Sequence, residues 1–144
     1  MNYTLKSTRW NKDKTALASI RKKVFIEEQK VPEELEWDEF DELCIHVLVT
    51  NHQNNPIATG RIKPDGHIGR MAVLKEYRNT GIGTAILKEL IKSAHNNHQG
   101  KHLTKVYLHA QTTAIPFYEK QGFISCSDEF MDANIPHKTM EKQL

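Results

Sequence analysis

Apolar positions along this chain change their period several times, and each change marks an element. Residues 3–8 alternate like a half-exposed strand, with Lys6 and Ser7 weakening the apolar face. From Asp13 onward, Ala16, Leu17, Ile20, Val24 and Phe25 recur at helical spacing with Arg21, Lys22 and Lys23 on the other side. That spacing predicts a first helix of about four turns. Pro32 bars its continuation, and an acidic loop or short helix follows. Residues 43–50, 57–63 and 67–74 are apolar and β-branched runs separated by the polar stretch 51–55 and by Pro64-Asp65-Gly66. They predict three consecutive strands in an antiparallel meander. Ile82, Ala85, Ile86, Leu87, Leu90, Ile91 and Ala94 form a wide apolar stripe, so the second long helix must lie against the sheet; Asn96-Asn97-His98-Gln99-Gly100 stops it. Residues 105–110 read as strand five, parallel to strand four because a helical crossover connects them. Thr112 or Thr113 begins a helix to Gln121, with Pro116 in its first turn and Gly122 as its C-terminal cap. Beyond Ser127 the pattern weakens; Asn134-Ile135-Pro136 signals a turn and residues 137–142 a last strand. The fold class is therefore α/β (α+β), with a mixed, mostly antiparallel sheet flanked by helices.

Composition narrows the function classes. A chain of 144 residues, 38% hydrophobic and 26% charged, is expected to form one domain over 1–144. No run approaches the roughly 18–20 apolar residues of a membrane span, and the start, Met-Asn-Tyr-Thr-Leu-Lys, has no apolar signal core. No membrane partner and a cytoplasmic location are expected. Cys44 and Cys126 lie far apart without metal-type spacing and are read as reduced thiols. The net charge of +2 says little, but nine of the 18 acidic residues (Glu27, Glu28, Glu33, Glu34, Glu36, Asp38, Glu39, Asp41 and Glu42) fall in one segment against the single Lys30. The remaining basic residues are not interleaved with aromatic platforms, so no nucleic-acid partner is expected. His95, His98 and His102 could share a helical face, but nothing supplies a fourth ligand at sensible spacing, and no metal is expected.

The stretch most suggestive of chemistry is Arg78-Asn79-Thr80-Gly81-Ile82-Gly83-Thr84, where a strand gives way to a helix. Helix N-termini present unpartnered N–H groups and the positive end of the macrodipole, which suits phosphate. Glycines there let an anion approach the main chain. The P-loop pattern fails because no lysine follows Gly83, and the dinucleotide fingerprint fails because its third glycine is absent.

Arg78-x-x-Gly81-x-Gly83 resembles the pyrophosphate loop of the GNAT superfamily of acyl-CoA-dependent N-acyltransferases. Ala114-Ile-Pro-Phe117-Tyr118-Glu119-Lys120-Gln121-Gly122-Phe123 resembles that family's second hallmark, one strand and one helix further on. The resemblance covers essentially the whole chain. Glu28-Gln29, Glu36-x-Asp38-x-x-Asp41 and the tail from Glu129-Phe130 to Pro136-His137 look like a small bacterial branch of it.

The resemblance implies a sheet splayed between strands four and five, with acetyl-CoA as co-substrate in the opening. Met71, Ala72 and Val73 would lend main-chain groups to the pantetheine arm; Arg78, Asn79, Thr80, Gly81, Ile82, Gly83 and Thr84 would hold the pyrophosphate. Ala114 and Phe117 would line the cofactor. Gln111 stands where many members carry an asparagine, and strand four lacks the glutamate that many use as base. Tyr118 is the expected general acid to the CoA thiolate. Glu28 or His109 is the candidate base, and Glu28, Asp38 and Asp41 are candidate substrate-binding residues. The acidic segment favours a cationic small-molecule amine as acceptor. A protein lysine or N-terminal amine, or a non-catalytic acyl-CoA sensor, stands as the alternative. A homodimer is left open.

Overall fold

The computed structural model describes residues 2–96 and 102–144. Strand β1 (Tyr3–Arg9) runs directly into helix α1 (Trp10–Arg21), which continues as a π-helical stretch over Lys22–Glu28. A short helix α2 (Glu33–Glu36) and a 3₁₀ turn (Asp41–Leu43) carry the acidic segment to β2 (Ile45–Asn51), β3 (Pro56–Ile62) and β4 (His67–Val73). Helix α3 (Ile82–His95) leads to β5 (Lys105–Gln111), and α4 (Ile115–Lys120) to β6 (Ile124–Ser125), β7 (Phe130–Asp132) and β8 (Ile135–Gln143).

The sheet has eight strands in the order β1-β2-β3-β4-β5-β8-β6, with β7 paired to β8. Every pairing is antiparallel except β4 with β5. β2 reads as an unbroken apolar run because both of its faces are covered. Val47 and Val49 join Ile82, Ile86, Leu87 and Leu90 of α3 in one core, while Leu48 joins Trp10, Leu17, Ile20 and Val24 in the other. The two long helices thus sandwich the meander.

Two local departures from regularity shape the site. The β3–β4 register shifts between Thr59 and Arg61, placing one extra residue on β4, and Arg70 sits there at φ 48°. Such a bulge kinks the strand and re-aims its side chains. The π-helical stretch, in which the Gln29 N–H reaches the Val24 carbonyl, swings Glu28 and Gln29 towards the centre of the sheet.

The tail is more regular than its sequence suggests. β8 begins at Ile135, and the turn falls on Ala133 and Asn134, both at positive φ (50° and 64°). That is the backbone of a tight hairpin turn with an alanine where glycine or asparagine usually signals it. The expected threonine cap of α4 also differs: Thr112–Ala114 form a 3₁₀ turn, and the helix start has no side-chain cap. No described helix is long and apolar enough to cross a membrane.

Candidate active site

β4 and β5 pair only at His67↔Tyr107 and Ile68↔Leu108. Beyond those pairs the strands part, and the opening is a cleft of about 340 Å³. Gly69, Arg70 and Met71 of β4 line one wall, and Leu108, His109 and Gln111 of β5, with Ala114 and Tyr118, line the other. The Tyr118 hydroxyl donates across the opening to the Met71 sulfur at 3.8 Å. Its ring packs edge-on against Phe117 and Phe123, and burial pushes its phenol up to about 12. At neutral pH Tyr118 is therefore a proton donor.

Beyond β4 and the 3₁₀ turn that follows it, Asn79 and Gly81 both take left-handed backbone conformations (φ 62° and 86°) and turn the chain into α3. Among the described residues nothing accepts from the amides of Asn79, Thr80 or Gly81, and the Ala85 amide makes a helical bond back to the Gly81 carbonyl. These loop amides and the first N–H groups of α3 form a concave donor set for an anion. A Cβ on Gly81 would meet nothing within 4 Å, and one on Gly83 only the Phe117 ring. The main chain is open to a bulky anion. The Arg78 guanidinium, however, is not free. Its Nε donates to the Val73 carbonyl (2.9 Å), and Nη1 and Nη2 grip the Glu28 carboxylate (2.7 and 2.6 Å). Arg78 braces the loop, and the Val73 carbonyl is already engaged.

The opposite wall is built on charge. Arg21 is 1% exposed and lies between the rings of Trp10 and Trp37. It donates to Glu36 (2.8 Å) and Asp41 (2.7 Å). Arg61 shares the same Asp41 oxygen at 2.7 Å and holds Asp38 with two bonds. Arg70 reaches Glu36 and Asp38 at 3.2 and 3.3 Å. Burial alone would raise the Asp38 carboxyl, but the Arg61 fork, backed by Arg70, holds it down at about 2. For Glu36 burial prevails and its pKa is raised. Three guanidinium groups and three carboxylates thus fasten the 33–43 segment over the sheet. Further along the cleft, His67 is stacked on Tyr107 (4.6 Å) and tilted against His109 (4.7 Å). Burial and the neighbouring His109 push His67 down to about 4, and burial also lowers His109. Both are neutral imidazoles at pH 7.

Residues 11–144 match the family model for the acetyltransferase (GNAT) domain. The chain belongs to the GNAT acetyltransferase family. The uncharacterized protein YyaT of Bacillus subtilis is 45% identical over 134 residues, 87% of this chain and 85% of its own. An acyl-CoA N-acyltransferase from Pseudomonas aeruginosa superposes with a TM-score of 0.85 at 24% identity, over 98% of this chain and 99% of that one. An aminoglycoside 6'-N-acetyltransferase solved with coenzyme A superposes at TM-score 0.71 and 17% identity over 97% of this chain and 96% of that one, a likeness of fold. The fold class read from the sequence agrees with these structures.

Within the GNAT frame, the structure brings Met71, Gln111, Ala114 and Tyr118 to one cleft. Gln111 is engaged there with Gln29, its amide donating to the Gln29 carbonyl oxygen at 3.0 Å. Ala72 supplies only main chain to that side, because its methyl is buried with the α1 core. The structure places the three acidic candidates differently. Glu28 does not line the cleft; its pKa is lowered by the Arg78 bond, which makes it a weaker base. Asp41 is 2% exposed and held by two arginines, so it cannot meet an acceptor. Asp38 does line the cleft, but both its oxygens already accept from arginines. Sequence reasoning passed over Arg61, Arg70 and His67. A strand arginine carries no signal until the acidic loop is seen to fold back upon it. His95 and His102 are exposed, His98 lies outside the described residues, and no cluster of three metal-binding side chains occurs among the described residues.

Proposed function

We propose that this GNAT domain moves the acetyl group of acetyl-CoA directly onto a primary amine bound in the same cleft. The observation that carries this reading is the parting of β4 from β5 beyond Ile68 and Leu108, with the Tyr118 hydroxyl reaching Met71 across it. The residues fit the co-substrate: the glycine turn offers donors to a pyrophosphate, and the open edge of β4 beyond Ile68 offers main chain to a pantetheine arm. Acetyl-CoA would supply the activated thioester. The amine nitrogen bonds to the acetyl carbon as the carbon–sulfur bond breaks, and Tyr118 gives its proton to the departing sulfur. His109, neutral and facing the cleft, takes the proton the amine sheds; its place there favours it over Glu28 as base.

Magnitudes limit what Tyr118 can do. A phenol near 12 facing a water-like thiol at about 8.5 would transfer its proton uphill by roughly 5 kcal/mol. Burial raises thiols as well; Cys44 in this protein is pushed up to about 11. A sulfur in comparable surroundings leaves a gap of only about 1.4 kcal/mol. On this reading Tyr118 can act as acid where the sulfur is desolvated as strongly as Cys44 is. Cys44 is buried and neither cysteine lines the cleft, which speaks for transfer without an acyl-enzyme.

The acceptor is a small amine, in keeping with a cleft of about 340 Å³. Of the nine carboxylates of the acidic segment, Glu36, Asp38 and Asp41 are paired with three arginines and Glu28 with a fourth, so those four offer little to a cationic acceptor, while Glu27, Glu33, Glu34, Glu39 and Glu42 are exposed. Thiol release from acetyl-CoA over a panel of amines tests the reading. Tyr118→Phe should lower kcat about 10²-fold or more with CoA binding retained. Full kcat with chemistry still rate-limiting would remove Tyr118 as acid. No thiol release with any amine would leave a CoA-binding module without transfer.

A further inference from the structure

The geometry points to Arg70 as the receptor for a carboxylate carried by the acceptor close to its amine, so that the acceptor is an amino-acid-like zwitterion and not a polycation. The inference rests on the transfer reading above and names its substrate class. Arg70 is the residue before Met71, on the wall faced by Tyr118. Its guanidinium has one engaged side and one open one. Nε donates to the Glu36 carbonyl, and Nη2 donates to the Leu35 and Glu36 carbonyls and to Asp38. Nη1 makes no hydrogen bond among the described residues, although the side chain lines the cleft and is 28% exposed.

Arg70 is also the least compensated member of the buried charge network. Glu36 is taken at 2.8 Å by Arg21 and Asp38 at 2.7 Å by Arg61, whereas Arg70 stands 3.2 and 3.3 Å from those same two carboxylates. A half-desolvated guanidinium with idle N–H groups attracts an anionic acceptor atom. Its backbone is held in place as well, since a non-glycine residue at φ 48° on a bulge persists only where the surroundings fix it. Lys63 adds a second cation to the same cleft, resting on the Phe40 ring at 3.9 Å. A single negative charge suits this setting. A phosphate dianion would face Glu36 and Asp38 at close range, and a second ammonium would find their oxygens already taken.

Matched pairs test this: leucine, phenylalanine, lysine and glutamate, each against its α-amide, assayed for thiol release from acetyl-CoA. In at least one pair the free amino acid should exceed its amide in kcat/KM by tenfold or more. Arg70→Gln should bring that ratio to about one, Arg70→Lys should keep part of it, and Lys63→Gln should leave most of it. Independently of turnover, calorimetry of N-acetyl amino acids and their amides on the CoA-loaded protein should show the same preference, lost in Arg70→Gln. Turnover of amides and amino acids at equal rates, together with equal binding, overturns the assignment while leaving the transferase reading intact. A carboxylate preference that survives Arg70→Gln overturns it too. A binding preference without any turnover supports Arg70 and counts against transfer alone.

Discussion

Asp41 offers the sharpest test of what holds the acidic segment in place. One of its oxygens accepts from Arg21 and from Arg61, each at 2.7 Å, and all three residues are nearly inaccessible. Asp41→Leu leaves two buried guanidinium groups facing one carboxylate fewer. Breaking a buried pair in this way costs about 3–5 kcal/mol, a large part of a typical total of roughly 5–15 kcal/mol. For a chain of this size that is a fall in Tm of roughly 6–20 °C. Asp41→Asn keeps an oxygen in place and removes only the charge, so it should lose less, about 1.5–3 kcal/mol. Urea unfolding of both variants, and of Arg21→Met alone and combined with Asp41→Leu, makes a double-mutant cycle. The combined variant should be clearly less destabilised than the two losses added, because each single change strands the other's charge. Strict additivity, or a loss below about 1 kcal/mol for Asp41→Leu, would show that the network is an onlooker to folding.

Two further outcomes follow from the same structure. Gly81→Ala should destabilise by about 1–2 kcal/mol because its φ of 86° is left-handed, whereas Gly83→Ala should stabilise by up to about 1 kcal/mol, since it gains helix propensity and its Cβ would touch only Phe117; thermal melts with and without CoA read both. His67 is held near 4 against 6.5 when unfolded, so its contribution is complete above about pH 6.5 and is lost as pH falls towards 4; stability measured across that window should slope downward on the acid side, and His67→Gln should flatten the slope.

Long periodic elements were legible because their patterns follow directly from burial. The stripe from Ile82 to Ala94 lies against the sheet as its spacing demands, and the meander follows from three apolar runs with tight turns. The end of α1 was not legible: a π-helical stretch depends on tertiary packing, and nothing in Lys22–Glu28 announces it. Pro136 also misled. Proline usually ends a strand, yet here it sits opposite Met131 near the start of β8, with the turn one step earlier at Ala133 and Asn134. Of the candidate site, the glycine turn and Tyr118 could be singled out in the sequence because their spacing is local. The acceptor side could not, since Arg61 and Arg70 acquire meaning only once residues 33–43 fold back from another part of the chain. The acidic count is subject to the same limit: it gave no sign that four of the nine carboxylates would lie against arginines.

The parting of β4 and β5 has a bearing on which donors this protein can take. Beyond Ile68 and Leu108 the two strands are not paired with each other, so spreading them further ruptures no rung between them. If acetyl-CoA binds as proposed, Met71 and Tyr118, which meet across the gap, set the room left for the acyl group. A descendant of this chain could come to accept longer thioesters by trimming one such side chain, with the architecture of the sheet untouched.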